Sequence, residues 1–147
     1  SIMVPVGQGG LLLGLFRGFK ALLKAEMIEK MPELIGVQAR KCAPLWSIFN
    51  GGLDGLRLAT DGLTQAEGVR VWHPIRGDSV LSAIGSTKGK FIAVDEEDIT
   101  IGVNEFAQRG FHIEPTSALL WSAFGQCVED CLDPVVMILT GSGLKFH

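Results

Sequence analysis

Four short apolar runs, residues 2–6, 34–39, 91–94 and 135–139, constrain this chain more than any other feature, because apolar residues fill them without regular alternation. A strand with one solvated face alternates polar with apolar residues, whereas a strand covered on both faces does not. Segments with helical spacing separate the runs. From Gly10 to about Lys30, Leu12, Leu15, Phe16, Phe19, Leu22, Leu23 and Met27 recur at helical intervals. Arg17, Lys20, Lys24 and Glu29 supply the polar remainder, and Pro32 is expected to stop the helix. Further helices are predicted from Pro44 to the glycines at 51, 52 and 55, from Ser79 to Ile84, and from Ala118 to about Cys131. Another runs to Arg109 from Asp95, an expected cap, with Glu96, Glu97 and Asp98 at the positive end of the helix dipole. Residues 56–77 read as mostly irregular, with two extended pieces. Strands alternating with helices predict an α/β fold, a three-layer sandwich around a central, mostly parallel sheet of four strands.

Composition narrows the function classes. At 147 residues the chain can bury one core. A net charge of −3 leaves no basic stripe for nucleic acid or an anionic membrane surface. The longest apolar run, residues 11–16, is broken by Arg17, far short of the ~20 residues that span a bilayer. Three cysteines, an odd count, suit a reducing, cytoplasmic setting better than a disulfide framework. Mean hydropathy is high at +0.32, so apolar surface is expected to dock on a missing portion or on a second copy, as in a homo-oligomer. The chain opens at a buried strand and stops four residues after Gly143, which suggests a fragment of a larger enzyme.

Two glycine-rich turns are the candidates for chemistry. Gly7-Gln8-Gly9-Gly10 joins a strand to a helix, where unpaired N–H groups and the helix dipole favour phosphate. A dinucleotide fingerprint fails here, with Leu12 at its third glycine and Gln38-Ala39-Arg40 where an acid belongs. A P-loop fails too, with Leu15 in place of lysine. A small phosphate monoester fits better. Thr140-Gly141-Ser142-Gly143 ends the last strand, where the Thr140 hydroxyl can meet a heterocycle nitrogen or merely close a turn. Gly10, Gly14 and Gly18 share one helix face and are expected to pack it closely on the sheet. Cys127 and Cys131 are spaced as two metal ligands, but His73, His112 and His147 are scattered, so no metal site is expected and the thiols read as buried. Ser117 and Ser142 lack a histidine at hydrolase spacing. Trp46, Trp72 and Trp121 read as core or interface anchors.

Taken in order, Val4-Pro5-Val6-Gly7-Gln8-Gly9-Gly10, Gly36-Val37-Gln38, Thr64-Gln65-Ala66-Glu67-Gly68-Val69, and the stretches 109–118 and 136–145 form a specific string. It resembles the cofactor domain of fold-type II pyridoxal-phosphate enzymes, the tryptophan synthase beta superfamily, and most of all the threonine synthases and their relatives. The resemblance implies that residues 1–147 are the C-terminal part of a pyridoxal-phosphate-binding domain. Gly7, Gln8, Gly9, Gly10 and Leu11 would cradle the pyridoxal 5'-phosphate by backbone amides, with Gln8 standing where close relatives carry asparagine. Thr140 would meet the pyridine nitrogen. Glu114 would lie near the ring, or else cap a helix beside Thr116. The implied activity is a lyase reaction, β-elimination or replacement on a small amino acid or its O-phospho ester. The Schiff-base lysine is expected in a missing N-terminal portion, because Lys20, Lys24, Lys30, Lys41, Lys88, Lys90 and Lys145 do not match the family's lysine motif. No catalytic residue is therefore assigned in this chain, and the piece alone is expected to be inactive. The alternatives are a non-catalytic module that binds a phosphorylated metabolite or nucleotide, and a structural or dimerisation domain.

Overall fold

Four strands, β1 (Ile2–Pro5), β2 (Leu34–Ala39), β3 (Lys90–Val94) and β4 (Val136–Met137), lie parallel in one sheet in the order β3-β2-β1-β4. The computed structural model describes residues 1–145. Helices α1 (Gly10–Lys24), α2 (Pro44–Gly55) and α3 (Gly77–Ser86) connect β1 to β2 and β2 to β3. Helices α4 (Glu96–Gln108) and α5 (Pro115–Cys127) carry the chain back from β3 to β4. Crossovers between parallel strands are right-handed, so reversing the direction of travel across the sheet moves the helices to its other face.

The core divides accordingly. On one face Ile2, Val4 and Val6 pack with Leu12 and Leu13 of α1, Leu45 of α2 and Ile84 of α3. On the other, Met3, Ile35 and Val37 pack with Ile99 of α4 and Leu119, Leu120 and Ala123 of α5. Successive strand residues serve opposite layers, which is why the strands are apolar throughout. The three-layer α/β expectation is met.

Several element bounds differ from the sequence reading. Helix α1 stops at Lys24: Glu26 turns left-handed (φ 55°), its N–H donating to the Leu23 carbonyl at 3.1 Å and that of Met27 to Leu22 at 3.0 Å. Fifteen residues make a helix about 22 Å long, enough to return along a six-residue strand. Met27 is left 72% exposed, so its apolar character does not extend the buried stripe. Helix α5 ends at Cys127 and passes into a 3-10 turn, Val128–Asp130. Between residues 56 and 77 the described chain forms two 3-10 turns, Leu56–Leu58 and Glu67–Val69, and none of the expected extended pieces pairs as a strand. Asp95 precedes α4 but its side chain caps nothing; it takes Arg40 Nε at 2.8 Å instead.

The glycine stripe of α1 faces away from the sheet. A Cβ at Gly10, Gly14 or Gly18 would meet nothing within 4 Å, which overturns the close-packing expectation. Leu12 and Leu13 define the buried side, and at about 100° per residue Gly14 points nearly opposite to their midpoint. Close approach occurs elsewhere, where a Cβ at Gly102 of α4 would overlap the Ala118 carbonyl of α5. Among the described residues no helix is long and apolar enough to cross a membrane. Gly14→Ala is expected to stabilise the fold by about 0.5–1 kcal/mol, through helix propensity alone. Gly102→Ala should cost about 1–3 kcal/mol. Denaturant unfolding of the two variants measures both.

Candidate functional site

Strands β1 and β4 are neighbours whose connections run on opposite faces of the sheet, an arrangement that opens a crevice at their carboxyl ends. Ile2 pairs with Val136 and Met3 with Met137, and Ile138 N–H still donates to the Met3 carbonyl at 3.0 Å. Val6 follows Met3 by as many residues as Thr140 follows Met137. Both glycine turns therefore leave the sheet at the same edge, from strands that run about 4.8 Å apart.

The first turn is held from behind. Val6 N–H donates to the Val37 carbonyl at 2.8 Å. Gln38, fully buried, donates from Nε2 to the Val6 carbonyl at 3.2 Å and accepts the Trp46 N–H on Oε1 at 3.0 Å. Its amide thus ties the end of β1 to the start of α2. A Cβ on Gly7 would come 2.7 Å from the Gly68 carbonyl oxygen. Gly9 adopts φ 80° with Val80 packed where a side chain would go. Gly10, by contrast, opens onto free space. The first helical bond runs from Leu13 N–H to the Gly9 carbonyl at 3.0 Å, so the amides of Gly10, Leu11 and Leu12 lie outside the helical ladder. No side chain caps α1 and no acid stands in its first turn. The Gln8 side chain is directed elsewhere, its Oε1 accepting the Ile75 N–H at 3.1 Å.

The second turn is held by α5. Ser117, fully buried in the helix's first turn, accepts the Thr140 N–H on Oγ at 2.7 Å and donates to the Thr140 carbonyl. The same Oγ lies 3.4 Å from the Thr140 hydroxyl. Gly141 is left-handed (φ 67°), and a Cβ there would overlap the Glu114 carboxylate. An antiparallel bridge between Ile113 and Ser142, with Gly143 N–H donating to the His112 carbonyl at 3.0 Å, binds the two segments together. Glu114 occupies the N-cap position of α5 through its backbone, yet its side chain makes no cap bond and lies against Gly141 instead. A shared prop joins the turns: Gly68, which presses on Gly7, donates its N–H to Thr116 Oγ1 at 3.2 Å.

Gly7, Gly9, Gly10 and Leu11 thus follow the carboxyl end of β1, and Thr140 follows that of β4 with Glu114 against the adjoining Gly141. The sequence reading named Gln38, Gly68, Thr116 and Ser117 but gave none of them the supporting role the structure shows. The signal available for the last two was a pair of small polar residues directly after Pro115, in the first turn of an apolar helix. Lys20, Lys24, Lys30, Lys41 and Lys88 are exposed, and Lys90 pairs with Glu33 at 3.8 Å. Among the described residues no group of three or more His, Cys, Asp and Glu could hold a metal ion; His147 lies outside them. Uncapped amides at one end and a fixed neutral hydroxyl at the other suit a ligand with a phosphate and a heterocycle nitrogen.

A family model described as pyridoxal-phosphate dependent enzyme matches residues 1–141. Threonine synthase from Methanocaldococcus jannaschii is 28% identical over 149 residues, covering 98% of this chain and 37% of that protein. Threonine synthase from Mycobacterium bovis is 28% identical over 147 residues, covering 97% of this chain and 39% of that protein. The chain therefore spans only 37–39% of the length of these relatives. Among solved structures, a T.th. threonine deaminase superposes with a TM-score of 0.72 at 23% identity, covering 96% of this chain and 48% of that one. Maize serine racemase gives 0.64 at 17% identity, over 96% and 42%. These two likenesses are likenesses of fold.

Ser117→Ala leaves the Thr140 N–H without its partner and should cost about 1–3 kcal/mol. Gln38→Leu removes both buried bonds at the β1 exit and should cost a similar amount. Chemical denaturation reads both losses, and amide exchange should rise at Thr140 in the first variant and at Trp46 in the second.

Proposed function

The chain belongs to the pyridoxal-phosphate dependent enzyme family, and from that premise we propose that it is the C-terminal, cofactor-holding part of a threonine synthase-like lyase. The observation that carries this proposal is that an uncapped, glycine-lined helix start and the Thr140 turn, with Glu114 against it, leave adjacent parallel strands at the same carboxyl edge of the sheet. The backbone amides of Gly7, Gln8, Gly9, Gly10 and Leu11 would take the phosphate, whose negative charge the α1 dipole offsets. The Thr140 hydroxyl would donate to the pyridine nitrogen. A hydroxyl is a neutral donor, so it leaves that nitrogen unprotonated where an aspartate partner would protonate it. Ser117 would keep Thr140 at a fixed height above the strand end, and the Glu114 carboxylate would border the ring. When bound, the cofactor supplies an electron sink for negative charge at the α-carbon of an amino acid.

The proposed reaction is β-elimination or replacement on a small amino acid or its O-phospho ester, in the cytoplasm and in a homo-oligomer. A lysine that bonds the cofactor, and most contacts to the substrate carboxylate, would come from a portion N-terminal to the glycine turn. The greater length of the relatives supports this, as does the exposure of Lys20, Lys24, Lys30, Lys41 and Lys88.

Equilibrium titration of the intact gene product with pyridoxal phosphate tests the assignment. Gly10→Asp places a negative charge in open space at the amide cradle and should weaken binding at least about tenfold, or about 1.4 kcal/mol. Thr140→Val removes one hydrogen bond and should weaken it by up to about tenfold, with a shift in the absorption of the bound cofactor. Unchanged binding in Gly10→Asp defeats the proposal. An effect of Gly10→Asp with none from Thr140→Val leaves only a module for phosphate esters.

A further inference from the structure

At the amino ends of the strands, away from the crevice, two thiols lie in contact. Cys127 closes α5, Cys131 follows the 3-10 turn, and their sulfurs are 3.2 Å apart. Neither is bonded to the other, and the third cysteine, Cys42, is buried elsewhere beside Asp61. The pair is unequal. Cys127 is 5% exposed and packs in the core with Ile35 and Leu120, whereas Cys131 is partly open to solvent. We propose that Cys127 and Cys131 are a reversible modification site, closing to an intramolecular disulfide by exchange with a small-molecule disulfide of the glutathione type.

The exchange runs in two steps. The Cys131 thiolate attacks one sulfur of the small disulfide; that S–S bond breaks, and the first small thiol leaves with the proton Cys131 gave up. Once Cys131 is in the mixed disulfide its thiol hydrogen bond and charge no longer add to the hold on the Cys127 proton. Cys127 loses that proton and attacks Cys131 Sγ, a new S–S bond forms, and the second small thiol leaves and takes up a proton. Two protein thiols are oxidised and one small disulfide is reduced to two thiols. The sulfurs need to close from 3.2 Å to about 2.05 Å. The order of attack follows from access and protonation. Burial first, then the hydrogen bond and charge of Cys131, and last Glu33, push the Cys127 thiol up to about 12 against the opposing pull of Lys90. At neutral pH Cys127 therefore stays protonated and does not open the exchange. The closed bond would clip the end of α5 to the segment entering β4, where the Leu132 carbonyl already accepts a hydrogen bond from the Ser1 backbone nitrogen at 2.7 Å.

The full chain, folded and incubated with excess oxidised glutathione, alkylated and digested with trypsin, gives the test. Both cysteines fall between Arg109 and Lys145, so one peptide carries them and Cys42 lies in another. The wild type is expected to lose the mass of two hydrogens in that peptide while Cys42 is alkylated or untouched. Cys127→Ser should trap glutathione on Cys131, and Cys131→Ser should take up none on Cys127 over the same time. Two free thiols in the wild type, or a mixed disulfide that does not close, overturns the proposal. Uptake at Cys127 in Cys131→Ser at the wild-type rate overturns the assigned order. The wild-type peptide decides the matter even if a variant fails to fold, which circular dichroism would report.

Discussion

The handedness of the strand connections is the constraint from which the rest follows. A right-handed crossover puts α1, α2 and α3 on one face while the chain steps from β1 out to β3. The return to β4 forces α4 and α5 onto the other face. β1 and β4 are then paired although 130 residues separate them, and the chain departs from their carboxyl ends in opposite directions. The crevice is a consequence of topology, and the loops on either side of it are what local chemistry adds.

Those loops are rigid for different reasons. The first turn is set by backbone against backbone and side chain: Gly7 against Gly68, Gly9 against Val80, and the Gln38 amide behind them. The second is set by polar bonds from the start of α5, with Ser117 claiming both backbone groups of Thr140. A buried hydroxyl that both donates and accepts leaves no polar group unsatisfied, so it can specify a position without the cost of an orphaned donor. The same interactions shorten β4. After Ile138 the chain turns to Ser117 and to the 112–114 segment and leaves the ladder with β1, which explains why the most strand-like run in the sequence forms only a two-residue strand.

Much of the fold was legible in the sequence because burial on both faces leaves a plain compositional trace. The bounds of β2 were readable to the residue, and those of β1 and β3 nearly so. The two glycine turns were readable as candidates, and the structure adds that packing against Gly68 and Val80 also demands glycine at positions 7 and 9. The buried props were not readable. Gln38 looked like a missing acid, and Ser117 like a hydroxyl without a histidine, because their partners lie 8 to 32 and 23 residues away in the chain. The α1 glycines misled for a related reason: periodicity reveals that they share a face, and only the neighbours of α1 reveal which way that face points.

By itself, then, the order of residues determined the alternation of strands and helices, the parallel sheet covered on two sides, and the family string that runs from Val4 through Lys145. These depend on local spacing and on the hydrophobic effect, both of which are written along the chain. Tertiary structure alone decided where α1 stops, that its glycines face outward, that Glu114 turns to Gly141 and away from its own helix, and that Cys127 meets Cys131 at the end of α5. Each of those outcomes is a contest for one region of space between segments distant in sequence, and it is resolved only when the layers pack.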